Sequence, residues 1–143
     1  MLRKASAVWQ GKLTEGSGSI STESGALSSL PYSYNTRFEG DKAGTNPEEL
    51  LGAAHAGCFT MAVSYALQEA GYPVTKAETT ATVELVHVPE GFEIPSVKLT
   101  LVAEVPGISE ERFLEVANVA KEVCPLSKVL KAEITLEATL ASS

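Results

Sequence analysis

Cysteine is scarce in this chain: Cys58 and Cys124 are the only two among 143 residues, and His55 and His87 are the only histidines. Two thiols cannot build a disulfide-dense framework, and no stretch resembles a signal peptide, so reduced thiols in a cytoplasmic protein are the expectation. A metal site made of His55, Cys58, His87 and Cys124 lacks the local ligand spacing expected of structural zinc. Positive charge is also sparse. Eleven Lys and Arg against 18 Asp and Glu give a net charge of -7, and the cations are scattered rather than striped, which excludes the footprint of a nucleic-acid binder. Glycines near Gly16-Ser17-Gly18 do not follow a strand and open a helix, so they are not a phosphate loop. Internal repeats and low-complexity tracts are missing too. What remains is ordinary globular material, 44% hydrophobic and 20% charged, long enough for one core over a single domain 1–143.

One stretch dominates. Asn46 is suited to cap a helix, Pro47 fits the first helical position, and Glu49 falls where it can close a capping box. From Leu50 to Leu67 there is no proline and almost no charge, and Gly71 followed by Tyr72-Pro73 supplies the stop. A helix over Pro47 to Ala70 would run ~36 Å at 1.5 Å per residue, apolar on nearly every side. His55, Thr60 and Ser64 inside it favour a buried helix over a membrane span. Such a helix needs to be wrapped by other structure.

The flanking segments supply candidates. Lys4 to Gln10 and Gly18 to Glu23 read as a hairpin, and Tyr32 to Phe38 alternates aromatic and polar residues as a third strand. Beyond Pro73, Ala81, Val83 and Leu85 alternate with polar residues, as do Val97, Leu99, Leu101 and Ala103. Pro89-Glu90-Gly91 between them predicts a long antiparallel hairpin. Ser109 caps a helix with Phe113, Val116, Ala117, Ala120 and Val123 on one stripe, and Ile108 is placed to staple onto Phe113. A second short turn begins at Pro125. A closing strand, Ala132 to Leu140, turns Ile134, Leu136, Ala138 and Leu140 inward. The order is β-β-β-α-β-β-α-β, an α+β fold with a long central helix wrapped by antiparallel sheet. The N-terminal strands, about 4–39, have little core of their own and are expected to pack on a second copy of the chain.

Both thiols could carry chemistry. Cys58 stands mid-helix, where the dipole gives little, so a reactive Cys58 needs a cation from elsewhere; Arg37, permanently charged, is the candidate. Cys124 precedes Pro125 and a helical turn whose amides could stabilise a thiolate, so local electrostatics favour it, and the residues alone leave open which thiol attacks. Two thiols suit peroxide chemistry, one attacking and one condensing with the resulting sulfenic acid. His55, three residues before Cys58, leaves a Cys-His hydrolase conceivable. Glu48 and Glu49 are first-turn carboxylates that suit the helix dipole.

Asn35-Thr36-Arg37-Phe38-Glu39-Gly40, Gly44-Thr45-Asn46-Pro47-Glu48-Glu49-Leu50, Ala54-His55-Ala56-Gly57-Cys58-Phe59 and Cys124-Pro125-Leu126-Ser127, in this order, resemble the OsmC (osmotically inducible protein C) family through essentially the whole chain. The OsmC branch fits better than the Ohr branch, whose arginine follows two glycines nearer the N-terminus; here Ser24-Gly25-Ala26 occupies that region. The resemblance implies an intertwined homodimer and an antioxidant peroxidase of the oxidative stress response that reduces organic hydroperoxides to alcohols. It also implies Cys58 as the attacking thiol, Cys124 as the resolving thiol, Arg37 as the activating cation and Glu48 as the carboxylate that orients it. An external dithiol, such as a lipoylated protein, would reduce the disulfide, with no bound cofactor. Helical rise puts Glu48 and Cys58 ~15 Å apart, so Glu48 is expected to serve the partner's site. The competing expectation is a non-catalytic dimer that binds an apolar small molecule and uses Cys58 only for packing. Phe59, Met61, Tyr32 and Tyr34 are expected to favour an alkyl group beside Cys58.

Overall fold

The computed structural model describes residues 1–141; Ser142 and Ser143, the end of the expected 1–143 domain, lie outside the described residues. The chain forms two compact units, Met1–Leu50 and Leu51–Ser143, whose boundary falls inside the long helix. Among the described residues the elements are β1 (Ala5–Gln10), β2 (Ser17–Thr22), β3 (Leu30–Tyr32), α1 (Tyr34–Phe38), α2 (Pro47–Glu69), β4 (Lys76–Val83), β5 (Val86–Val88), β6 (Gly91–Glu93), β7 (Ser96–Glu104), α3 (Glu110–Val123), α4 (Pro125–Val129) and β8 (Glu133–Leu140).

In the first unit β1, β2 and β3 form an antiparallel sheet in that order. The third strand is shorter than its alternation predicts. It stops at Tyr32 because Ser33 and Thr36 close a reciprocal capping box, Thr36 N to Ser33 Oγ at 3.2 Å and Ser33 N to Thr36 Oγ1 at 2.8 Å, which turns Tyr34–Phe38 into the single helical turn α1. Trp9 meets Tyr32 edge to face with centroids 5.5 Å apart. No apolar side chain of this unit is fully buried among the described residues; its buried residues are Thr36, Thr45 and Glu48.

The second unit has the core. Its sheet runs β4-β7-β8, with β4 antiparallel and β8 parallel to β7. The sheet is therefore mixed rather than antiparallel throughout. The chain leaves β7 through α3 and α4 and returns as β8, a helical crossover that delivers a strand in the same direction. The predicted hairpin of β4 with β7 is present, but a small hairpin of β5 and β6 interrupts it, because the Pro89-Glu90 turn pairs its immediate neighbours Val88 and Gly91. Phe59, Val63 and Leu67 of α2, Val97, Leu99, Leu101 and Ala103 of β7, and Phe113, Val116, Ala117 and Ala120 of α3 form one cluster, joined by Cys124. Val123, expected on the α3 stripe, is 54% exposed.

Helix α2 is unbroken over 23 residues. Asn46 Oδ1 caps it by accepting from Glu49 N at 2.7 Å, while the Glu49 carboxylate accepts from the Thr45 hydroxyl at 2.9 Å. At the other end Gly71 takes φ +93°, and Tyr72 N to Leu67 O and Gly71 N to Gln68 O satisfy the last carbonyls. Gly52, His55, Phe59, Val63 and Leu67 form its buried stripe. The opposite stripe, through Ala54, Gly57, Met61 and Tyr65, is equally small or apolar yet uncovered, with Met61 77% and Tyr65 66% exposed.

Candidate active site

The first unit builds an ion pair. The Thr36 hydroxyl donates to the Thr45 carbonyl at 2.7 Å, and Thr45 N donates to Pro31 O at 2.8 Å. These bonds hold the 39–46 connection against β3 and α1. Gly44 lies so close to the Pro31 carbonyl that a Cβ would collide with it, which explains a glycine there. The connection thus delivers the first turn of α2 beside the last residues of α1. Arg37 there grips Glu48 through two nitrogens, Nε at 3.1 and 3.3 Å from the two carboxylate oxygens and Nη2 at 2.6 Å from Oε1. Glu48 is nearly buried, its side chain 10% exposed, whereas Arg37 keeps 37% of its side-chain surface open. The carboxylate fixes the guanidinium and leaves part of it available.

The second unit builds a thiol pair. Cys58 sits mid-α2 and is half-buried; Cys124, at the junction of α3 and α4, is fully buried. Cys124 Sγ donates to Cys58 Sγ at 3.2 Å, with both cysteines free. Burial pushes the Cys58 thiol above its ordinary value, the backbone amide of Leu126 pulls it down, and the adjacent Cys124 pushes it up again. One of the amides expected to favour Cys124 serves Cys58: the α4 turn presents Leu126 N–H to the sulfur of the other helix.

His55 lies one turn before Cys58 and is completely buried. Its Nε2 is 2.9 Å from Ser127 Oγ, and its Nδ1 has no hydrogen-bond partner among the described residues. Burial lowers its pKa. The ring bonds to a serine rather than to Cys58, so the arrangement does not have the nucleophile–base contact that a Cys-His hydrolase needs. Ser127 entered the sequence reading only as the last residue of the Cys124-Pro125-Leu126-Ser127 motif, with no role of its own, although its spacing three residues after Cys124 mirrors that of His55 three before Cys58. Phe59, expected to border a substrate, points into the core instead. Among the described residues no group of three or more His, Cys, Asp or Glu side chains is clustered to hold a metal ion, and His87 packs on Phe92 with ring centroids 5.0 Å apart.

The four predicted site residues therefore fall into two pairs, Arg37 with Glu48 and Cys58 with Cys124. Comparison with known proteins gives these pairs a family. The model of the OsmC-like protein family matches residues 39–139. Peroxiredoxin OsmC of Escherichia coli is 52% identical over 140 residues, covering 98% of this chain and 97% of that protein. Organic hydroperoxide resistance protein OhrB of Bacillus subtilis is 30% identical over 125 residues, covering 86% of this chain and 88% of that protein. The crystal structure of OhrB superposes with a TM-score of 0.68 at 26% identity, covering 96% of this chain and 98% of that one. The chain belongs to the OsmC-like protein family and is an oxidoreductase of the peroxidase class.

Proposed function

We propose that this chain is a cytoplasmic, homodimeric thiol peroxidase that reduces organic hydroperoxides with Cys58 as attacking thiol and Cys124 as resolving thiol. The 3.2 Å approach of the two sulfurs carries this reading, because two free thiols on separate helices need close by only about 1 Å to reach disulfide length. The Cys58 thiolate attacks the distal oxygen of ROOH and the O–O bond breaks. The released RO⁻ takes a proton to become the alcohol, and Cys58, oxidised by two electrons, carries a sulfenic acid. Cys124 sulfur then attacks the Cys58 sulfur; the S–O bond breaks, and the hydroxide leaves as water with the Cys124 proton. An external dithiol, such as a lipoylated protein, returns two electrons by thiol–disulfide exchange. The cycle requires no bound cofactor.

A thiol pushed up by burial is a poor nucleophile at neutral pH, so the site needs a cation. Arg37, fixed by Glu48 and partly open, suits the task. Glu48 and Cys58 are ten positions apart on an unbroken helix, ~15 Å along its axis. In our reading the partner subunit's Arg37 and the partner subunit's Glu48 therefore complete the thiol site. The uncovered apolar stripe of α2 and the first unit's lack of buried apolar side chains support a dimer in which paired α2 helices form a shared core and the strands of about 4–39 pack on the partner. The single-domain reading of the chain goes with this arrangement.

The names of the relatives point to organic hydroperoxides, and the apolar walls of such an interface would hold an alkyl group better than hydrogen peroxide. Measuring kcat/KM for cumene hydroperoxide and for hydrogen peroxide tests the substrate class; a preference for hydrogen peroxide overturns it. The raised pKa of Cys58 in the single chain is also what a packing thiol in a non-catalytic binding dimer would show. Peroxide consumption that survives Cys58→Ser would overturn Cys58 as the attacking thiol and leave it a packing residue.

A further inference from the structure

The geometry points to His55 and Ser127 as a positioning pair that sets how fast Cys124 closes onto Cys58. The inference rests on the thiol-peroxidase reading and names residues that it does not use. Helix α2 and the 124–127 segment, which opens α4, meet at two rungs. One is Cys58 with Cys124, sulfurs 3.2 Å apart; the other is His55 with Ser127, Nε2 to Oγ at 2.9 Å. His55 precedes Cys58 by three residues and Ser127 follows Cys124 by three, so the rungs are one helical turn apart on segments running in opposite directions.

The second rung fixes what the first depends on. Helix α4 spans only five residues, begins at Pro125, and its N-terminus has no side-chain cap. The turn nevertheless carries the Leu126 amide that bonds Cys58 and follows directly from Cys124. Ser127 lies in its middle and is tied to a histidine that is 0% exposed and embedded in the longest helix. A buried imidazole with an unpartnered Nδ1 is a costly way to fill space, which an aliphatic side chain would do without an orphaned nitrogen. Its one hydrogen bond is directed at the segment whose placement decides the sulfur–sulfur distance. Closure requires Cys124 Sγ to approach from 3.2 Å to about 2.05 Å along a defined direction, and a turn free to drift would meet that geometry less often.

The step concerned is the attack of Cys124 sulfur on the Cys58 sulfenic sulfur, with loss of water. It can be followed by rapid-quench mass spectrometry after one equivalent of cumene hydroperoxide, with dimedone trapping of the sulfenic acid. Ser127→Ala should slow closure on the order of tenfold, the scale of one buried hydrogen bond lost, and raise the dimedone adduct. Ser127→Thr, which keeps the hydroxyl, should restore the rate. His55→Phe should slow closure similarly, and the double variant should be no slower than either single one. Additive effects, or wild-type closure in Ser127→Ala, would overturn the inference while leaving the peroxidase reading intact. Should Ser127→Ala fail to fold, His55→Gln, whose amide reaches toward the position of Nε2, provides the check: closure nearer wild type than that of His55→Phe supports the pair, and equal slowing refutes it. A wild-type protein that forms neither adduct nor disulfide would overturn the underlying reading itself.

Discussion

The two compact units solve opposite problems. The first holds a charged pair without an apolar core: of its buried residues, Thr36 donates its hydroxyl to the Thr45 carbonyl and Glu48 accepts from the Arg37 guanidinium. The second holds two thiols in a core where Leu99, Leu101, Phe113 and Phe59 are fully buried. Apolar surroundings keep the sulfurs adjacent but raise the pKa of Cys58; polar surroundings fix a guanidinium but provide no nucleophile. Each unit lacks what the other supplies, and in the proposed dimer they complete one another across two chains.

The largest expected effect separates the thiols from everything else. Cys58→Ser should abolish hydroperoxide consumption, whereas Cys124→Ser should consume one equivalent and then stall as a sulfenic acid; a burst measured by peroxide titration distinguishes the two. Next comes the stability contrast. Leu99→Ala, in the centre of the second unit, should cost about 2–5 kcal/mol in urea unfolding. Val8→Ala, at a site 55% exposed in the single chain, would cost within about 0.5 kcal/mol if it stayed exposed, and more than about 1 kcal/mol if the partner covers it. A small loss at Val8 in the dimer therefore contradicts packing of these strands on the partner.

Arg37→Ala should lower kcat/KM about 100-fold, the scale for losing one preorganised charged donor, and raise the Cys58 pKa followed by thiolate absorbance. Glu48→Gln should act in the same direction and less strongly, because it loosens the arginine without removing it. An Arg37→Ala enzyme with unchanged thiol pKa breaks the link between the two units.

The smallest effect concerns pH. Burial lowers the folded-state pKa of His55 below the ordinary histidine value. Its neutral form therefore contributes stability that is complete above the unfolded-state value and is lost as pH falls from there through the folded-state value. Wild-type Tm should drop more between about pH 8 and pH 5 than that of His55→Gln, at about 1.4 kcal/mol per pKa unit of depression. Equal drops would show that His55 does not contribute.

Much of this arrangement could be read from the residues. The long helix announced both of its ends, because Asn46, Pro47 and Gly71 act locally and need no tertiary partner. The inward faces of β7 and β8 followed from their alternation. The third strand misled, because Ser33 and Thr36 form a capping box inside a segment whose aromatic alternation resembles a strand, and the local hydrogen bonds prevailed. The parallel return of β8 depends on a crossover, which strand alternation does not encode. At the site, helical rise already set Glu48 apart from Cys58, and the contacts Arg37 with Glu48 and Cys124 with Cys58 follow the pairing that the resemblance implied. The destination of the Leu126 amide stayed hidden, because it points across to another helix rather than along its own.

Mass spectrometry of the reduced protein after one equivalent of organic hydroperoxide tests the central claim most directly. The account predicts loss of two hydrogens and a cross-linked peptide pair containing Cys58 and Cys124 of the same chain. An unmodified Cys58, or a disulfide found only between chains, would contradict it.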